Sequence, residues 1–107
     1  MSWTIEQAAS EIGVERRVVV GWVEQRWVLP AEQNGDFLFE EVDLARLKLI
    51  KDLTGELEVG EEAMPILLNL LDQLYEARRA LAELEEAISG CSEAVRDEIA
   101  ARLVRRD

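Results

Sequence analysis

The chain has 107 residues, about half of them hydrophobic and a third charged, with a net charge of −11. That length fits one domain, or a small domain carrying a helical arm, and it excludes a large self-sufficient core. With no histidine and a single cysteine, Cys91, the chain has neither an intrachain disulfide nor a Cys/His metal site, and a lone thiol suits a reducing cytoplasm.

The opening "MSWTIEQAA" has no basic or apolar leader pattern, so no signal peptide is expected. Trp3 stands before Thr4 as a candidate staple residue. "TIEQ" has capping-box spacing: the Thr4 hydroxyl accepts from the backbone of Gln7, and Gln7 reaches back. A first helix follows, with Ile5, Ala8, Ala9 and Ile12 on one face and Gly13 ending it. A second helix is predicted over Glu15–Arg26, with Val19, Trp22 and Val23 inward, and Pro30 closes the segment after it. Trp27 is either a cover for the domain edge or an exposed anchor for a partner.

"AEQNGDFLFEE" reads as a hairpin, because Asn34-Gly35 tolerates the positive φ that a two-residue turn needs. Phe37 and Phe39 flank Leu38 in a short wing. A third helix is expected from about Glu41 to Leu53, with Val42, Ala45, Leu49 and Ile50 as its apolar face. Helix, turn, helix, hairpin, helix is the plan of a winged helix-turn-helix.

After the loop "TGELEVG" a long helix begins near Glu61, with Pro65 in or near its first turn. Leu67, Leu70, Leu74, Ala77, Leu81, Leu84 and Ile88 alternate spacings of three and four, the repeat of a coiled-coil seam. From Glu61 to Ile88 this helix reaches roughly 42 Å at 1.5 Å per residue. A small domain does not cover such a stripe, so a partner helix is implied. Parallel and antiparallel pairing both remain open. Ser89-Gly90 ends the helix, and Ser92 caps a short last one. There Val95, Ile99 and Leu103 face inward, and Arg102, Arg105 and Arg106 complement the helix dipole. No apolar run approaches a membrane span.

The chain is thus expected to be mainly α, with a winged helix-turn-helix domain over residues 1–55 and a long helical dimerisation arm with a short terminal helix over 56–107. The first part holds six basic and ten acidic residues, net −4, and the second six and thirteen, net −7. Neither has the basic footprint of a phosphate-binding surface. Catalysis has no support: Cys91 lies in a turn with no identifiable base, and no carboxylate pair stands apart from a solvated helix face. Nothing implies a cofactor or small-molecule ligand.

Residues 4 to about 53 resemble the MerR-type winged-helix superfamily, through "TIEQAASEIGV", Trp22, Leu29-Pro30 and "FEEVDLARLKLIKDL". Over residues 4 to 85 the chain is similar to one branch, the chaperone-modulator (CbpM-like) family. "GWVEQRWVLP", "FLFEEVDLARLKLIKDL" and "EVGEEAMPILLNLLDQLYEARRAL" carry that resemblance, with "PILLNLLDQL" its most specific part. The resemblance implies a cytoplasmic homodimer that binds the J-domain of a DnaJ-type (curved-DNA-binding) co-chaperone and restrains it. J-domains generally present a basic helix, which an acidic protein would cover.

DNA-reading members of the superfamily usually carry an arginine and a tyrosine where this chain has Val20 and Gly21, and a wing arginine where it has Phe37. DNA binding is therefore expected to be absent or weak. Candidate docking residues are Trp27 and Phe37 with Glu41, Asp43, Glu56, Glu58, Glu61 and Glu62; the Glu56–Glu62 cluster also has an adequate reading as solubilising, dipole-matching charge, and Asp43 as a cap of the third helix. Candidate dimerisation residues are Leu67, Leu70, Leu74, Leu81, Leu84 and Ile88. The rival function is a MerR-type transcriptional regulator, which would use Arg16 and Arg17 on DNA. A third reading is a dimerisation module with no inhibitory role.

Overall fold

The computed structural model describes residues 1–104; the expected dipole-matching Arg105 and Arg106 lie outside the described residues. The elements run α1 (Ile5–Ile12), α2 (Arg16–Glu24), β1 (Ala31–Gln33), β2 (Asp36–Leu38), α3 (Glu41–Thr54), α4 (Met64–Ser89) and α5 (Glu93–Val104). They divide into two compact units, one of Met1–Leu68 and a second beginning at Asn69.

In the first unit α1 packs on α2 and on α3. The capping box forms as the sequence predicts: Gln7 N donates to Thr4 Oγ1 at 3.2 Å, and Thr4 N to Gln7 Oε1 at 2.9 Å. Gly13 closes α1 in the left-handed region, its N–H on Ala9 O at 2.9 Å. The second helix stops two residues short of the expected Arg26. Arg26 instead takes the left-handed position, φ 64°, and Trp27 N reaches back to Trp22 O at 3.0 Å. This is the helix stop that glycine usually makes, built here on an arginine.

The wing is a two-stranded antiparallel sheet in the register Ala31↔Leu38, Glu32↔Phe37, Gln33↔Asp36. Asn34 and Gly35 form its turn with φ of 53° and 83°, both positive as a type I′ turn requires. Trp3 does more than precede a cap. Its backbone exchanges two hydrogen bonds of 2.8 Å with Phe39, extending the wing and pinning the N-terminal segment to the start of α3.

The core consists of Ile5, Ala8, Ala9 and Ile12 from α1, Val19 and Trp22 from α2, then Trp27, Val28 and Phe39. Leu44, Leu47, Ile50 and Leu53 complete it from α3, with Met64 and Leu68 from the start of α4. The buried face of α3 corrects the expected one. Val42 is 74 % exposed, Ala45 is exposed and Leu49 only half-buried. Apolar residues occupy two arcs of this helix, so periodicity alone leaves the choice open, and packing against α1 makes it. Two α3 cations tie the unit together: Lys51 Nζ donates to Ile12 O at 2.8 Å, and Arg46 Nε to Trp27 O at 2.6 Å.

The long helix begins at Met64, three residues later than expected, because Glu61–Ala63 form a turn in which Met64 N bonds Gly60 O. Pro65 falls in its first turn, where a missing N–H does no harm. The second unit holds the rest of α4 and α5. Ser92 caps α5 as predicted, accepting from Val95 N at 3.3 Å, and Arg102 pairs with Glu98 at 3.1 Å. None of the described residues from Asn69 onward is buried. The expected inward face of α5 is therefore not covered within one chain: Val95 and Leu103 are exposed and Ile99 half-buried.

Candidate functional site

The outward face of α2 carries two basic side chains, Arg16 and Arg17, in its first turn. Each is already held by a carboxylate. Arg16 Nε donates to Glu6 Oε1 at 2.9 Å, and Arg17 Nε lies 2.9 Å from Glu15 Oε2. Both pairs are mostly solvent-exposed, so their contribution to stability is small. Their effect on the field is larger, since each arginine faces outward beside its own counter-charge. The Glu6 carboxyl is held below its ordinary value, first by its own backbone N–H and then by the Arg16 guanidinium. Beyond these two arginines α2 presents half-buried Val18, Val20, Gly21 and Val23, and exposed Glu24.

Two grooves flank this helix. One lies between α1, α2 and the wing, lined by Ile5, Arg16, Val20, Phe37 and Leu38 among others. Phe37 is half-buried there. The second runs between α2 and the loop that follows α3, lined by Arg17, Val18, Gly21, Trp22, Gln25, Trp27, Val59 and Glu61 among others. That loop is held by Val59 N bonding Leu53 O at 2.8 Å, and Glu58 adopts a left-handed φ of 50° within it.

Trp27 needs correction as a candidate anchor. It is 5 % exposed, one of the core side chains, so it supports the second groove from beneath. Its indole N–H has no hydrogen-bond partner among the described residues. Burial follows from the left-handed Arg26, which turns the chain back under α2; no local sequence signal announces it.

The acidic candidates separate into two kinds. Asp43 is engaged within the fold: Oδ2 accepts from Glu40 N at 2.9 Å, capping α3, and the side chain is half-buried. Glu41, Glu56, Glu58, Glu61 and Glu62 are exposed. The second groove thus brings Glu61 together with Arg17 and Trp27, while Phe37 stands on the other side of α2 with Arg16. Val18, Gln25 and Val59 were not singled out by sequence reasoning; the glycine inside α2 is the one signal that points to them.

Along the leucine stripe, Leu67 and Ile88 are half-buried, while Leu70, Leu74, Leu81 and Leu84 are exposed, at 45 to 58 %. The stripe is thus left uncovered among the described residues of the single chain. Among the described residues no cluster of metal-ligating side chains occurs. No described helix is long and apolar enough to cross a membrane.

Comparison with known proteins gives the first unit a relative. The profile of the family described as MerR HTH family regulatory protein matches residues 3–57. Among solved structures, the chain is similar to HiNmlR, described as a MerR family regulator lacking the sensor domain, bound to promoter DNA. The two share 22 % identity, with 83 % of this chain and 89 % of that one covered and a TM-score of 0.48. No curated protein sequence matches the chain significantly.

Proposed function

The chain belongs to the MerR HTH family of regulatory proteins, and from that premise we propose that it is a dimeric, non-enzymatic member whose reading surface has turned from DNA to a protein partner. The partner we propose is the J-domain of a DnaJ-type co-chaperone, bound and restrained in the cytoplasm, as the resemblance to the chaperone-modulator family implies. The observation that carries this reading is the chemistry of α2. Its two basic side chains are each paired with a carboxylate, and Val20 and Gly21 stand where, as the resemblance implies, DNA-reading members carry donors to phosphate or base.

The surrounding charge supports the same reading. Met1–Leu68 contain six basic and fourteen acidic residues, net −8. Lys51 and Arg46 donate to backbone carbonyls inside the fold. A surface of this sign repels a phosphate backbone and attracts a basic helix. We propose residues 1–55 as the winged helix-turn-helix domain and 56–107 as the dimerisation arm, with Leu67, Leu70, Leu74, Leu81, Leu84 and Ile88 as its seam and the start of the arm shared with the docking surface. Glu56, Glu58, Glu61 and Glu62 are the preferred docking carboxylates, ahead of Glu41 and the capping Asp43.

A second reading, a DNA-binding transcriptional regulator, is favoured by the family match itself, since MerR regulators usually dimerise and bind DNA. DNA binding separates the two. On the protein-partner reading, duplex DNA binds no more tightly than about 1 μM at physiological salt, without sequence preference and falling steeply as salt rises. A footprint on a defined operator in the nanomolar range, the usual territory of specific binding, establishes the regulator instead.

A further inference from the structure

Gly21 lies inside α2 (Arg16–Glu24), where glycine is less favourable than alanine because it leaves the unfolded backbone freer. Gly60, in the loop after α3, likewise has open space around it, but Gly21 is the glycine inside a helix, and Gly13 and Gly55 have visible reasons. Gly13 takes a left-handed φ of 78°, and a Cβ on Gly55 would stand 2.8 Å from Lys51 O. Gly21 has neither reason. Its φ is not positive, and a Cβ placed there meets nothing within 4 Å. The fold of this chain does not require a bare backbone at this position.

What lies over Gly21 is the open groove between α2 and the loop after α3. Val18 and Gly21 are one turn apart on α2, and Trp22 and Trp27 give the groove a rigid aromatic base. On its rim the lining cation, Arg17, is paired with Glu15, while Glu61 has no ion-pair partner among the described residues. Its sequence neighbours Glu58 and Glu62, and Glu24 on α2, are exposed and likewise without an ion pair among the described residues. The groove offers apolar surface on Val18, Trp22, Trp27 and Val59 beside polar Gln25, Thr54 and Glu61, in a unit of net charge −8, and that combination selects a helix with an apolar stripe flanked by lysine or arginine.

We propose that this groove receives such a basic amphipathic helix from the partner protein, crossing α2 over Gly21. The distance between packed helices is set by the side chains at their contact, so a glycine there lets the two backbones come closest. The inference rests on the protein-partner reading and adds the place and the geometry of docking. Sequence reasoning sees Gly21 as a lost DNA contact; the open space above it makes it a gained protein contact.

The test uses the full chain, its Gly21→Ala and Gly21→Leu variants, and an isolated J-domain as the probe. Thermal melting, self-association and J-domain affinity are measured for each. Gly21→Ala should melt at the same temperature or higher, because its methyl enters open space and the helix gains propensity. J-domain affinity should nevertheless fall, by about tenfold for alanine and by more for leucine, as the close crossing is blocked. A folded Gly21→Leu protein that binds the J-domain as tightly as wild type overturns the groove and leaves the partner reading standing. Loss of self-association with J-domain binding intact assigns the groove to a second copy of this chain and also overturns the proposal. A wild-type protein that does not bind the J-domain overturns both.

Discussion

Leu74→Asp is expected to leave the winged unit folded and the chain monomeric. Leu74 sits midway along the exposed stripe of α4, in the second unit, and is 45 % exposed in the single chain. The aspartate therefore meets water in the monomer and no core residue of the first unit is disturbed. In the proposed dimer it would enter the apolar seam, where burying an unpaired charge costs several kcal/mol. With a self-association of about 8 kcal/mol, micromolar in dissociation constant, that loss is enough to separate the protomers at tens of micromolar. Light scattering should give a dimer mass for wild type and a monomer mass for the variant, with similar melting of the winged unit. A wild-type monomer under those conditions contradicts the seam.

Leu47→Ala is expected to destabilise the winged unit strongly, while Val42→Ala leaves it nearly unchanged. Leu47 is fully buried, on the face of α3 that packs towards α1. Truncating a buried leucine costs about 2–5 kcal/mol, through lost transfer energy and the cavity left behind. A domain of this size holds only some 5–10 kcal/mol in reserve. Melting should drop by roughly 10 °C or more, since each kcal/mol moves a small domain by about 4–8 °C. Val42 is 74 % exposed, and surface truncations stay within about 0.5 kcal/mol. Comparable losses for the two variants would show that the α3 face is wrongly placed.

This pair of variants marks the boundary of what the sequence reveals. The features that read correctly are local. Thr4 and Gln7 lie three residues apart and satisfy each other's backbone; Asn34-Gly35 needs only its own two φ angles. The order of helices, wing and long arm follows from such signals and from the seven-residue repeat. The features that did not read are set by contacts between distant parts. Val42 and Leu47 are equally apolar in the sequence, and only the position of α1 decides which is buried. The candidate site divides in the same way. Arg16 and Arg17 are visible as the cations of α2, but the neutralising partner of Arg16 is Glu6, ten residues earlier on another helix. Trp27 read as a possible surface anchor, because nothing in "EQRWVLP" shows that Arg26 enters the left-handed region and folds the indole inward. Asp43 is legible in the sequence both as a docking charge and as a cap of α3, and its bond to Glu40 N bears out the capping role.

The central claim is that a MerR-type fold here recognises a protein through an acidic, apolar surface. Calorimetric titration of the full chain with an isolated J-domain from a DnaJ-type co-chaperone, repeated across salt concentrations, tests it most directly. The account predicts saturable binding with a dissociation constant of about 10 μM or tighter, weakening as salt screens the attraction between unlike charges. No binding at J-domain concentrations of about 100 μM, by a protein shown to be folded, would contradict it.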